Sequence, residues 1–243
     1  TTVVDMNSKD LSSSSSSSLI GEHHGICGVM KTDTTRVEKM VRDSSNFYAA
    51  PSLLALSNYY DEDNENGGSK EQTKTLVLDG SPKLNLQELL LNGQPVDSSK
   101  FLVGTDSLEV FNVPDEFELT TIVNILPHLN TTMMGLYRSR TMYCTQCEAE
   151  GFRDITYYID RPDMMSEFTT TVIANSTAYP ILLSNGNPIE RGELDNGRHF
   201  VTWHDPFKKP AYLFALVAGA LSVVEDNFVT QSGRNVVLQI FVE

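Results

Sequence analysis

From Leu76 onward, apolar positions come in short stretches that alternate with polar ones and stop at turn dipeptides. Leu76-Val77-Leu78 runs into Asp79-Gly80, and Leu89-Leu90-Leu91 into Asn92-Gly93. Asx-Gly pairs tolerate the positive φ of tight turns, so each marks the end of a strand. Residues 119–126 mix Thr, Ile and Val, side chains that suit a pleated, half-buried surface. Phe168, Thr170, Val172 and Ala174 fall on one side of an extended chain, as do Val236, Leu238, Ile240 and Val242. Asn185-Gly186 and Asn196-Gly197 lie one strand length apart, each between apolar segments, and predict a β meander. No stretch holds a helical period beyond about three turns. The pattern predicts an all-β fold of antiparallel, sandwich-like sheets with no internal repeat.

The first 75 residues read differently. An unbroken serine run at residues 12–18 has nothing to bury, so residues 1–35 are expected to be a poorly ordered serine-rich segment and residues 36–243 the β domain. Residues 61–72, rich in Asp, Glu and Gly, read as a solvated loop whose acids lack calcium-loop spacing. Residues 211–224 form the longest uncharged stretch, shorter than the roughly 20 apolar residues that span a bilayer, and are expected in the core. No basic, then apolar, leader is visible.

The 243 residues suffice for a sizeable core, and 40% apolar with 21% charged residues is ordinary for a globular chain. The net charge of −14 changes the picture more. It repels phosphate backbones and anionic lipid headgroups, so neither nucleic acid nor a membrane surface is an expected partner. Three cysteines, Cys27, Cys144 and Cys147, are too few for a disulfide scaffold and fit a reducing compartment.

No self-sufficient active site is legible: there is no His-Glu-x-x-His, Gly-x-Ser-x-Gly, phosphate-binding Gly-Lys-Ser/Thr or dinucleotide fingerprint. His23-His24 reads as exposed polar residues, and His199 and His204 as surface or partly buried ones. Cys144-Thr145-Gln146-Cys147 lacks the second ligand pair of a structural zinc site and the βαβ setting of a redox motif, so its cysteines are expected to be two small buried residues. Gln146-Cys147-Glu148 is more suggestive. In an extended strand Gln146 and Glu148 project together while Cys147 faces the other way. A carboxylate beside a carboxamide oxygen makes a receptor for an ammonium group. Polar pairs on a wet strand face are also common, and the residues alone leave both readings open.

These residues sit within a longer resemblance. Leu136-Tyr137-Arg138-Ser139, the run from Cys144 through Glu148 to Arg153, Ile155-Thr156-Tyr157 and Asp160-Arg161-Pro162-Asp163 closely resemble the N-terminal domain of the bacterial-type aminopeptidase N (M1 zinc metallopeptidase) family. The likeness continues through Leu182-Leu183-Ser184-Asn185-Gly186-Asn187, Asn196-Gly197-Arg198-His199, Asp205-Pro206-Phe207-Lys208-Lys209-Pro210, the block from Tyr212 to Gly219, and Ser232-Gly233-Arg234.

The resemblance implies a twisted, saddle-shaped β-sandwich that packs on a thermolysin-like zinc domain, in enzymes that remove single N-terminal residues from peptides. It implies that Gln146 and Glu148 help hold the free α-ammonium of the substrate. The expected partners are thus peptides with a free N-terminus and the family's catalytic domain, in the cytoplasm. Catalytic residues, metal ligands and cofactor are expected to be absent from this chain, with zinc belonging to the catalytic domain. Two departures stand out. Thr34-Thr35-Arg36-Val37 and Val41-Arg42 only faintly echo the family's first strands, so the first sheet is expected to be incomplete. Ile240-Phe241-Val242-Glu243 comes where the catalytic domain is expected to begin, so this chain alone is expected to lack peptidase activity. The alternative is a stand-alone β module that binds peptide N-termini or a partner protein.

Overall fold

The computed structural model describes residues 74–114 and 116–243 in full, and residues 2–6, 26–30 and 52–54 as backbone strands. The described strands are β1 (Thr2–Met6), β2 (Ile26–Met30), β3 (Ser52–Leu54), β4 (Thr75–Asp79), β5 (Asn85–Leu91), β6 (Gln94–Pro95), β7 (Phe101–Val103), β8 (Ser107–Phe111), β9 (Glu118–Ile125), β10 (Gly135–Ser139), β11 (Met142–Gln146), β12 (Ser166–Asn175), β13 (Ile181–Ser184), β14 (Asn187–Leu194), β15 (Arg198–Lys209), β16 (Leu216–Gly219), β17 (Ser222–Val229) and β18 (Asn235–Val242). Among the described residues the only helical segments are single 3-10 turns, and none is long and apolar enough to cross a membrane. The fold is all-β, as the alternation predicts.

One sheet runs β14-β15-β12-β1-β2-β9-β5-β6, with β3 also on β9; the others are β10-β11-β16-β13, β4-β8-β7 and the ribbon β17-β18. Among the described strands only β1–β12 is parallel. β1 and β2 stand between β12 and β9 and lie inside residues 1–35, while β3 lies inside residues 36–75. Ladder bonds use only main-chain groups, and Thr2-Val3-Val4 and Ile26-Cys27-Gly28-Val29 carry β-branched residues suited to them. The serine run, Thr34-Thr35-Arg36-Val37, Val41-Arg42, His23-His24 and the acidic loop lie outside the described residues.

Two Asx-Gly pairs make hairpins. Asn92 (φ 51°) and Gly93 (φ 74°) close β5 onto β6, with Leu91 opposite Gln94. Asn196 (φ 62°) and Gly197 (φ 67°) close β14 onto β15, with Leu194 opposite Arg198. The other two change sheets. After Asp79-Gly80 the chain leaves β4, whose partner is β8, and enters β5 beside β9. After Asn185-Gly186 it leaves β13, paired with β16, for β14, paired with β15. The meander expected there is therefore a corner. Gly186 (φ 85°) permits it, because a Cβ would lie 2.1 Å from the His204 carbonyl oxygen. The Asn185 side chain holds the far side, donating to the Leu213 carbonyl (3.0 Å) and accepting from the Ala215 N–H (2.7 Å).

A single apolar core draws on three of the sheets: Leu78, Leu108 and Val110 from β4–β8, Leu119 and Val123 from β9, Phe168 and Val172 from β12, and Leu216 and Ala218 from β16. Phe168, Thr170, Val172 and Ala174 do share a buried face. The β17–β18 ribbon contributes no residue to this core, and the alternation of β18 ends in exposed side chains, with Leu238, Ile240 and Val242 all open. Phe152 has no exposed surface and meets Tyr158 (5.0 Å), Phe214 (5.1 Å) and Phe168 (6.0 Å) edge to face. Phe152→Ala is expected to cost about 3–5 kcal/mol of unfolding free energy, measured by urea titration, since it removes a buried ring and leaves a cavity among three others.

Candidate functional site

The β10–β11 hairpin pairs Gly135 with Gln146, and β11 ends at Gln146. The chain then makes a tight turn through residues 148–151, where the Gly151 N–H donates to the Cys147 carbonyl (2.8 Å). The Glu148–Ala149 peptide is cis. Two glycines make room for this fold-back. A Cβ on Gly151 would lie 2.5 Å from the Gln146 carbonyl oxygen, and one on Gly135 (φ 72°) 2.6 Å from Asp154 Cβ.

Gln146 and Glu148 are both exposed, and Cys147 between them is buried. The strand expected to align them ends at Gln146, two residues before Glu148, yet the in-and-out alternation persists into the turn. Gln146 Nε2 donates to the Glu148 main-chain carbonyl (3.4 Å), which leaves Oε1 turned to other partners. Among the described residues the Glu148 carboxylate has no hydrogen bond or ion pair.

Every other charge near the turn has a partner. The Asp160 carboxylate is 2% exposed. Its Oδ2 accepts from the Arg153 main-chain N–H (3.0 Å) and from Arg153 Nε (3.3 Å). Arg153 Nη2 also donates to the Asp160 carbonyl (3.0 Å). Asp79 Oδ2 accepts from the Asp160 N–H (2.9 Å), and its Oδ1 lies 3.5 Å from Arg153 Nη1. Glu150 lies 3.6 Å from Arg153 Nη2, and Asp154 is bonded to Lys83 Nζ at 2.5 Å. Burial raises the Asp160 carboxyl above its ordinary range, against the Arg153 bonds and charge and with a smaller push from Asp79. Nothing in residue type or spacing marked Arg153 and Asp160 for this role. The available signal was a lone acid directly after the apolar run Tyr157-Tyr158-Ile159.

The cysteines part company. Cys147 is buried, and burial, followed by Asp160 and Asp154, pushes its thiol far up, so it stays protonated and unreactive. Cys144 is half-buried, and its hydrogen bond raises the hydroxyl of Tyr137, its cross-strand partner. His199 donates from Nε2 to the Tyr179 carbonyl (2.8 Å), and His204 Nδ1 shares a hydrogen bond with Thr169 Oγ1 (3.1 Å). Both are half-buried structural groups. Among the described residues no three His, Cys, Asp or Glu side chains converge on a common point fit for a metal.

A family model described as the peptidase M1 N-terminal domain matches residues 85–213, a stretch that contains the turn and both of its clamped ends. The chain belongs to the peptidase M1 N-terminal domain family. It is 50% identical over 177 residues to aminopeptidase N of Caulobacter vibrioides, covering 73% of this chain and 20% of that protein. It is 52% identical over 160 residues to aminopeptidase N of Escherichia coli, covering 66% of this chain and 18% of that one. It therefore spans about a fifth of the length of these relatives. A crystal structure of Legionella pneumophila aminopeptidase A in complex with aspartic acid superimposes with a TM-score of 0.70 at 35% identity, covering 80% of this chain and 22% of that one.

Two outcomes follow for this M1 N-terminal domain. In peptide-resolved mass spectrometry of the folded protein under iodoacetamide, Cys147 should label far more slowly than Cys144, and the two should converge in urea. Because the folded Asp160 carboxyl titrates higher than in the unfolded chain, its contribution is largest below the unfolded value and is lost as pH rises through the folded one. Urea titrations across the acid range should therefore show wild type gaining on Asp160→Asn as pH falls.

Proposed function

We propose that this domain grips the free amine of a peptide between Glu148 and Gln146 and presents the peptide to the peptidase domain of a longer M1 protein. The observation that supports this most directly is the Glu148 carboxylate, which has no partner among the described residues. It stands exposed, two residues from the exposed Gln146 whose Nε2 bonds the Glu148 main chain, on a turn whose other charges are engaged. An α-ammonium carries three N–H donors and a full charge, which these two acceptors suit.

The chemistry is placement. An anchor that holds the amine at a fixed distance from the reacting bond determines which peptide bond is presented. In the open the pair is water-screened and contributes about 0–1 kcal/mol, and it strengthens once a second domain covers it and excludes water. The zinc that the family implies finds no fitting ligand set among the described residues, so hydrolysis is assigned to the peptidase domain, and this chain by itself is expected to cleave nothing.

The β17–β18 ribbon supports a partner of that kind. Val224, Phe228, Leu238, Ile240 and Val242 are all exposed on one face of it. An exposed apolar row along one face suits a docking surface, and we infer that it faces the remainder of a longer protein.

The test is an NMR titration of the chain with Ala-Ala-Ala and its N-acetylated form. Wild type should prefer the free amine by about fivefold, in line with an exposed charge pair. In Glu148→Gln the preference should vanish with the fold intact. Equal binding of the two peptides to wild type would sink the reading.

A further inference from the structure

We propose that Arg153 is the positioning residue of the amine anchor: held by Asp160 and Asp79, it fixes the turn that carries Glu148 against the strand end that carries Gln146. This rests on the amine-anchor reading above.

The turn has two clamped ends and an exposed middle. Its first end is Cys147, 3% exposed, and its second is Phe152, with no exposure at all. Glu148, Ala149 and Glu150 between them are all exposed. Arg153 reaches both directions from the second clamp. Its main-chain N–H and Nε converge on one oxygen of Asp160, Nη2 meets the Asp160 carbonyl, and Nη1 faces Asp79 at the end of β4. The same Nη2 lies 3.6 Å from Glu150, inside the exposed stretch. A planar guanidinium can serve these groups together, whereas a single ammonium cannot. Asp160 is in turn held by its own N–H on Asp79, across 81 positions of sequence. The turn is thus referred to the frame of β4 through one side chain.

Charge sharpens the distinction between holding and attracting. Arg153 faces three carboxylates, those of Asp79, Glu150 and Asp160. With Glu148 beside them, the neighbourhood is negative even with Arg153 present. Removing the guanidinium makes it more negative, which on its own favours an ammonium ligand. A residue that acts only through charge and one that acts through position therefore give opposite results.

The experiment is the same pair of titrations on Arg153→Lys, which keeps the charge, and Arg153→Gln, which removes it. Amide hydrogen exchange is read at Gly151 and Arg153, and urea unfolding serves as the control for folding. Positioning predicts that both variants drop the free-amine preference from about fivefold to below about twofold, with faster exchange at both amides. A preference kept in Arg153→Lys and increased in Arg153→Gln would overturn the inference and leave the anchor standing. If neither variant unfolds cooperatively, Asp79→Asn decides: it keeps an acceptor for the Asp160 N–H and loses the charge facing Nη1. A reduced preference with faster exchange at Gly151 and Arg153 supports the inference, because lost charge alone leaves exchange unchanged; unchanged exchange at both amides, or an unchanged preference, overturns it. No preference in wild type, or one that survives Glu148→Gln, removes the anchor and this inference with it.

Discussion

The burial of Phe152 is the contact on which the rest depends. Its ring is enclosed by Tyr158, Phe168 and Phe214. Tyr158 is bridged through its backbone to Asp79 of β4, Phe168 belongs to β12, and Phe214 leads into β16. One side chain therefore joins the three sheets that share the core. Burying a ring of this size contributes about 1.5–3 kcal/mol, with about 0.5–1.5 kcal/mol more for each well-oriented aromatic pair. Exposed ion pairs nearby, such as Arg161 with Asp163, belong to a class worth about 0–1 kcal/mol. Apolar packing sets where the turn sits, and polar groups set how it is oriented.

That orientation has its own constraint. A buried carboxylate such as Asp160 is costly unless it is bonded, and the Arg153 main chain and guanidinium supply the bonds. The arrangement demands close backbone approach, which Gly135 and Gly151 allow. The result is a short exposed segment, acidic and without a partner at Glu148 among the described residues, held from both ends by buried groups. A rigid support beneath a reactive surface group is what a binding site needs if its geometry is to survive binding.

The two exposed features differ in kind. The Gln146–Glu148 turn is small, polar and charged. The β17–β18 ribbon is long, with a row of exposed apolar side chains, Val224, Phe228, Leu238, Ile240 and Val242, along one face. Both are consistent with a domain that occupies about a fifth of the length of its relatives.

Much of the fold was legible in the chain. Residues 168–174 showed their buried face through alternation, because a strand has a period of two and one side meets the core. Asn92-Gly93 and Asn196-Gly197 announced hairpins through backbone conformations that few residues tolerate. The same signal at Asp79-Gly80 and Asn185-Gly186 was ambiguous: an Asx-Gly pair states that the chain turns and carries no information on which sheet receives the next strand. Alternation in β18 likewise showed an apolar face and not what would cover it. At the site, Gln146 and Glu148 were legible from local alternation, as was the inward side of Cys147. Arg153 and Asp160 were not, because their roles come from contacts with Asp79, which lies far away in sequence. The sequence by itself determined the alternating strands and the turns from Leu76 onward and the outward-facing pair, since those follow from interactions between near neighbours, but not β1, β2 and β3. Only the tertiary structure decided which strands pair and which charges are engaged, since both depend on distant groups brought together by burial.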